Sequence, residues 1–372
     1  MQIKMEKLKV SNTNTVVVKD LDYINECLVE HHHKLSGATV LMTGCGGFLG
    51  FYMMQYLVSY ASRLGIKKII GLDSFILKKP DWLIDLEQKF PSVLELYDFD
   101  ISKDQIDSLE SIAEVDFVIH AASIASPIFY RQYPLETLDA NIWGLRQLLD
   151  FYNRVTLKGF LFFSSSEIYG DPTPDMIPTD EEYRGNVSCN GPRACYDESK
   201  RFGETMCWIY AEQFNMPITI ARPFNNYGPG MRLTDRRLPA DFAKSIINGQ
   251  DIDILSDGTP TRTFCYVADA VVGYFLCLFH GKYDYFNIGM EVPEISVKEV
   301  AELYVKTAKK VLNFDLKVTY KVSDDDDYMT DNPNRRSPKI DKARTHLKYD
   351  PRITLEEGIS RYISFLNEGV EK

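Results

Sequence analysis

Short apolar runs alternate with longer stretches of helical periodicity through the first two-thirds of the chain. Thr39–Met42 reads as a buried strand, followed by glycines and a helix over Phe48–Arg63. Lys68–Leu72 is a second strand, ending at Asp73. Leu94–Phe99, Phe117–His120, Phe160–Ser164 and Ile218–Ala221 continue the series, with helical patterns between most of them. Strands that alternate with helices predict an α/β fold: a Rossmann-type, doubly wound parallel sheet with right-handed crossovers. After Arg222 the alternation stops. Pro, Gly and Arg become frequent through Arg262, and a final helical region follows Ser296. That change predicts a smaller C-terminal α/β domain made of residues 223–262 and 290–372, beside a dinucleotide-binding domain of residues 35–222 with about 263–289. Residues 1–34 are polar and lack glycine. Within them, Leu21, Ile24, Leu28 and Val29 predict a short amphipathic helix over Asp20–Glu30, in an extension packed on the outside.

A length of 372 residues allows a large core. The formal charge of -11 argues against nucleic acid and anionic membranes as partners. Any anionic substrate then needs a local cluster of arginine or lysine. Seven cysteines without C-x-x-C spacing predict reduced thiols in a cytoplasmic protein, and no apolar leader opens the chain. The longest apolar run, Val267–Phe279, contains Asp269 and is too short to span a bilayer. His31, His32 and His33 read as an exposed segment rather than a metal site, and no metal is expected. Asp324–Asp327 reads as a solvated loop.

Thr43-Gly44-Cys45-Gly46-Gly47-Phe48-Leu49-Gly50 lies between a strand and a helix, where a pyrophosphate can rest on free helix N–H groups. Gly44 permits the tight turn, Gly47 a close backbone approach, and Gly50 the packing of helix on strand. Asp73 stands twenty-three residues beyond Gly50. A carboxylate there accepts both adenosine-ribose hydroxyls and repels a 2′-phosphate, which favours NAD over NADP. Asp100 and Ile101 are candidate adenine contacts. Ala121 and Ala122 are small enough to let a cofactor lie close to the sheet. Gly46, Asn141 and Ser164 complete the candidate cofactor set.

Tyr196 and Lys200 form a Tyr-x-x-x-Lys pair, one helical turn apart on one face. A phenol with a pKa of about 10 is a poor base at neutral pH. A cation about 4 Å away contributes about 4 kcal/mol at an effective dielectric near 20, so Lys200 and the nicotinium charge together are expected to make Tyr196 a usable general base. Ser165, at the end of the preceding strand, can hydrogen-bond the same substrate hydroxyl.

These segments resemble the extended short-chain dehydrogenase/reductase superfamily. TGCGGFLG, HAASIASPIFY, SSSEIYGDP, YDESK, RPFNNYGP and TRTFCYVAD occur in its order, and DKARTHLKYDPRITLEEGI resembles its tail. Within it the chain is most similar to UDP-glucuronate decarboxylases, on SEIYGDP, GNVSCNGPRACYDESKRFGETMC and NRRSPKI. The resemblance implies that Tyr196 and Lys200 are the catalytic pair, assisted by Ser165, with Ser166 and Glu167 facing the C5–C6 end of a sugar. It implies a carboxylate contact for Arg336 and a substrate contact for Tyr130. Asn225, Arg237 and Arg262 fall where related enzymes hold the nucleotide diphosphate.

In the implied reaction Tyr196 takes the C4 hydroxyl proton while hydride passes to NAD. The resulting 4-ketouronate loses its carboxylate into an enolate, which Ser165 and protonated Tyr196 stabilise. Glu167 or a water returns a proton to C5, and the ketone is then reduced. Related 4,6-dehydratases carry Asp-Glu where this chain has Ser166-Glu167, and 4-epimerases generally lack the glutamate. Those two chemistries are the alternatives, with a non-catalytic NAD-binding protein as a third. Cys45 replaces a usual glycine, Arg335-Arg336-Ser337-Pro338 stands where decarboxylases have Lys-Arg-Arg-Pro, and Gly230-Met231-Arg232 stands for Arg-Met-His. An extension like residues 1–34 occurs in some bacterial polysaccharide-cluster relatives. The superfamily also implies a homodimer, formed by the helices around Ile142–Asn153 and Glu198–Phe214.

Overall fold

The computed structural model describes residues 14–110, 112–321 and 333–369; the acidic run Asp324–Asp327 lies outside them. Seven strands, β1 (Thr39–Thr43), β2 (Lys68–Asp73), β3 (Leu94–Asp98), β4 (Phe117–His120), β5 (Gly159–Phe163), β6 (Ile218–Pro223) and β7 (Asp284–Ile288), form one sheet in the order β7-β6-β5-β4-β1-β2-β3. Every pairing is parallel. The strand order reverses between β1 and β4, where Thr43 stands beside His120. In open parallel sheets that crevice, at the carboxyl ends of the strands, is where ligands bind.

Because both faces of the sheet are covered, its inner strands β4 and β5 are almost wholly apolar and fully buried. Helix α1 (Thr15–Cys27) and helix α2 (Phe48–Ser59) lie on one face, along with α6 (Val267–His280). The other face carries α3 (Leu145–Tyr152) and α4 (Ala194–Phe214). The polar-rich half of the C-terminal region contributes α5 (Leu238–Ile247), α7 (Val297–Leu312) and α8 (Leu355–Asn367). Helix α7 starts where the sequence places it, with Ser296 and Glu299 closing a reciprocal capping box. Helix α2 is buried from Gly50 to Ser59, which explains why its sequence is apolar on all sides.

The N-terminal helix differs from expectation. It runs from Thr15 to Cys27 rather than Asp20 to Glu30, because Asn14 caps it: the side-chain oxygen accepts from the N–H groups of Val16 and Val17 at 3.0 and 3.2 Å. Val29 falls in a following 3₁₀ turn and is exposed, whereas Val17, Leu21, Ile24 and Leu28 are fully buried in the main core. The helix is therefore part of the globule, not an outer appendage. Asp20 is also fully buried, accepting from the hydroxyls of Tyr52 and Tyr266 at 2.5 and 2.6 Å and pairing with Arg361. His31 stacks on Phe279 and is half-buried; only His33 of the three is exposed. Among the described residues there is no cluster able to hold a metal ion, and no helix is long and apolar enough to cross a membrane.

Candidate active site

A cleft of about 900 Å³ opens over the crevice between β1 and β4. Gly44, Gly47, Phe48, Leu49 and Ala121 line one end; Ser164, Ser165, Ser166, Glu167, Tyr196 and Lys200 line the middle. Tyr130, Asn225, Arg237, Arg262 and Arg336 come from the remaining walls. Gly46, Asp73, Asp100, Ile101, Ala122 and Asn141 are not part of that lining.

The glycine turn is built for close contact. Gly44 has φ +70°, and a Cβ on it would lie 2.7 Å from the Ala121 carbonyl carbon. A Cβ on Gly50 would lie 2.2 Å from the Cys45 carbonyl oxygen, so helix α2 can approach β1 only without one. Gly47 caps α2 with no side-chain acceptor, which leaves the helix N–H groups and the positive end of its dipole for a phosphate. Asp73 sits beside this turn and accepts from the N–H groups of Gly46 and Phe75, each at 2.9 Å. Burial pushes its carboxyl up, opposed by those two hydrogen bonds. Cradle, helix end and carboxylate fit a dinucleotide. Thr43 Oγ1 ties the neighbouring strand ends together, 2.8 Å from His120 Nδ1 and accepting from the Ala122 N–H at 3.2 Å. Burial and the Lys200 charge push His120 down to about 3, so it serves as a neutral imidazole.

Three candidate cofactor residues are turned to other tasks. Asp100 accepts from Ser102 and Lys103 in its own turn. Ile101 is buried against Gly144. Asn141 lies beneath α4, donating to Ser199 Oγ at 2.9 Å, and Ser199 donates to the Tyr196 carbonyl at 2.8 Å. Asn141 thus touches the helix that carries Tyr196 from behind.

Tyr196 is buried and hydrogen-bonded to Ser165. Burial pushes its phenol up to about 12; Ser165 and the Arg237 charge act in the opposite direction. The cation expected to acidify it is directed elsewhere. Lys200 Nζ donates to the Phe163 carbonyl at 2.9 Å and stands 5.7 Å from the Tyr196 ring centre. A buried ammonium needs an acceptor, and the end of β5 supplies one. Burial pushes Lys200 down to about 7.

Glu167 lies on the 3₁₀ turn Ser166–Tyr169, its N–H donating to Ser165 Oγ at 3.2 Å. Arg336 grips its carboxylate at two points, 2.6 and 2.5 Å, and Arg193 adds a third contact at 2.5 Å. Burial alone would raise the carboxyl; the two guanidinium charges outweigh it and hold the group well below the usual carboxylate range. Arg336 is fixed by a two-residue strand, Arg335–Arg336, parallel to Thr261–Arg262. Its neighbour Arg335 pairs with Glu294 instead, so of the two arginines it is Arg336 that faces Glu167. Arg262 donates to the carbonyls of Thr261, Pro333 and Asn334. Burial and the Arg336 charge push it down to about 9. Arg237 pairs with Asp235 and lies 5.5 Å over the Phe48 ring, and Asn225 donates to the Thr263 carbonyl at 2.8 Å. Tyr130 stacks on Tyr196, and its hydroxyl is buried with no hydrogen-bond partner.

Two residues of this cluster were not singled out from sequence. Arg193 precedes Tyr196 by three positions and Asp197 follows Arg193 by four, which is helical spacing onto one face and could have signalled them. Arg193 Nε stands 3.5 Å from Asp197 Oδ2. Burial and the Glu167 charge push Asp197 up to about 7, opposed by Arg193.

The chain is similar to several known proteins. UDP-glucuronic acid decarboxylase 6 of Arabidopsis thaliana is 33% identical over 328 residues, covering 87% of each chain. UDP-glucuronic acid decarboxylase 1 of Xenopus tropicalis is 32% identical over 333 residues, covering 89% of this chain and 73% of that one. The crystal structure of UDP-glucuronic acid 4-epimerase from Bacillus cereus, in complex with UDP-glucuronic acid and NAD, superimposes with a TM-score of 0.73 at 23% identity, covering 89% of this chain and 99% of that chain, a likeness of fold. The sequence profile described as the NAD dependent epimerase/dehydratase family matches residues 40–289. With about two-thirds of its length inside that profile, on a sheet whose glycine cradle fits a dinucleotide, the chain is an enzyme of the NAD dependent epimerase/dehydratase family, and its cofactor is NAD.

Proposed function

We propose that the protein is a nucleotide-sugar uronate decarboxylase, acting on UDP-glucuronate to give UDP-xylose or its 4-keto pentose. One observation carries this reading: Glu167 and Arg336 meet at two points in the same cleft as Ser165 and Tyr196, with Ser166 rather than an acid between. Expelling a C6 hydroxyl, as a 4,6-dehydratase does, needs a proton donor, and serine is a poor one. Releasing a C6 carboxylate needs a cation to seat it, and Arg336 is that cation. The decarboxylases among the relatives support the same choice.

NAD, when bound, supplies the acceptor and later the donor of the C4 hydride. Tyr196, acting as its phenolate, receives the C4 hydroxyl proton; the carboxylate then leaves as carbon dioxide, and the electrons of the C5–C6 bond pass into the C4 carbonyl. Ser165 and protonated Tyr196 steady the enolate oxygen. Glu167 is held as a carboxylate by two arginines, so the proton that reaches C5 comes from a water that Glu167 orients, not from Glu167 itself. Asp73 selects NAD. Residues 35–222 with about 263–289 form the cofactor domain, and residues 223–262 with 290–372 hold the nucleotide sugar through Asn225, Arg237 and Arg262.

A homodimer belongs to this proposal, supported by the exposed side chains of Trp143, Phe202 and Trp208 on and beside α3 and α4. So does a cytoplasmic location, supported by seven free cysteines. Mass spectrometry of the products from UDP-glucuronate tests the reaction. Loss of one carboxyl group is the expected result; an unchanged mass with altered retention means 4-epimerisation and overturns it.

A further inference from the structure

We propose that Arg193 is a positioning residue: it keeps the Glu167 carboxylate in place when Arg336 turns from Glu167 to the carboxylate of the substrate. The inference rests on the decarboxylase reading and deepens it. Arg336 has two partners to serve. In the protein alone it is engaged at both guanidinium nitrogens by Glu167, yet the proposed reaction needs it on the sugar. Removing one partner of a buried ion pair is strongly unfavourable, because it strands the other charge away from water. Glu167 escapes that penalty only if a second cation remains.

Arg193 is built to remain. Its carbonyl accepts from the N–H groups of Tyr196 and Asp197 at 3.0 and 3.1 Å, so its backbone is fixed at the start of α4. Its Nη2 donates to Glu167 at 2.5 Å, its Nε faces Asp197, and its guanidinium lies 5.9 Å over the Tyr130 ring. Arg193 is thus tied to Glu167, Asp197 and Tyr130 at once, independently of Arg336. Glu167 then stays seated beside the sugar throughout the exchange.

The test uses the full-length, NAD-loaded enzyme, with UDP-glucuronate and the uncharged UDP-glucose as probes in titration calorimetry. With Arg193→Met, Arg336 is left as the sole cation of Glu167 and cannot leave it. Affinity for UDP-glucuronate should fall roughly 100-fold to 1,000-fold or more, given what an unpaired buried charge costs, while affinity for UDP-glucose stays within about threefold. Adding Glu167→Gln to Arg193→Met releases Arg336 and should restore UDP-glucuronate binding. Arg193→Lys, which keeps the cation, should fall between. If Arg193→Met does not fold, Arg193→Gln takes its place in the same series. Equal loss for both probes, or no recovery in the double variant, overturns the role of Arg193. Carbon dioxide release by the unaltered enzyme is measured in parallel: its absence would overturn the decarboxylase reading instead.

Discussion

The rings of Tyr130 and Tyr196 lie nearly parallel, their centres 5.1 Å apart and their planes inclined by 13°. One comes from the short helix after β4 and the other from the first turn of α4, so the stack joins two helices that follow adjacent strands. It fixes the Tyr196 ring in the plane needed to meet Ser165. Tyr130→Phe keeps the stack and removes a buried hydroxyl that lacks a partner. Its melting temperature should match or exceed that of the original, since such a group costs about 1–3 kcal/mol when unsatisfied. A raised KM for the nucleotide sugar with unchanged melting would show that the hydroxyl meets substrate.

Tyr196→Phe removes the one phenol bonded to Ser165. Turnover should fall by roughly 10²–10⁴, the usual contribution of a positioned acid–base group. NAD content, read by absorbance after denaturation, should stay the same. Full activity in this variant would remove Tyr196 as the base.

Lys200→Met gives a pH signature. Burial lowers the folded-state pKa of Lys200 to about 7 from an ordinary value of 10.5. The unfolded chain therefore binds the proton over a window, from about pH 7 to above 10, in which the folded protein has released it, and stability rises with pH there. Below pH 7 both states hold the proton and the folded protein bears the full desolvation penalty. Lys200→Met should thus be inactive but more stable, by on the order of 5 kcal/mol near pH 6, with the gain shrinking as pH approaches 10. Urea unfolding at pH 6, 8 and 10 measures it; a gain that grows with pH contradicts the burial of a neutralised lysine.

Gly50→Ala forces a methyl group to within 2.2 Å of the Cys45 carbonyl oxygen. Helix α2 must move away from β1, which should cost about 1–3 kcal/mol, as overpacking does. The same movement withdraws the helix N-terminus from the pyrophosphate site, so NAD content should fall together with melting temperature. Loss of stability with NAD fully retained would show that the turn does not hold the cofactor.

Most of the parallel sheet was legible because its inner strands are apolar, and Phe117–His120 appears with the very limits its sequence suggests; the edge strand Asp284–Ile288, with Asp284 and Asn287 in it, was not read. Gly44, Gly50 and Asp73 were legible because each answers a local backbone or charge requirement. The direction of Lys200 was not. Its spacing from Tyr196 puts it on the right helix face, but the acceptor that captures its ammonium, the Phe163 carbonyl, belongs to another strand. Asp20 was hidden for a similar reason: an acidic residue in a polar extension looks solvated until Tyr52, Tyr266 and Arg361 converge on it. Arg193 went unread because its meaning lies in Glu167, twenty-six positions away.

Helix α1 is made well ahead of one of its partners: Arg361, which pairs with Asp20, follows 341 residues later. At ordinary elongation rates the apolar edge formed by Val17, Leu21, Ile24 and Leu28 waits roughly 20 to 70 s for its last neighbours. Thr15 likewise finds Glu368, 2.6 Å from its hydroxyl, only 353 residues later. A chain that stops short of α8 leaves the buried Asp20 without Arg361 and α1 without one of the three helices it packs on, beside α2 and α6.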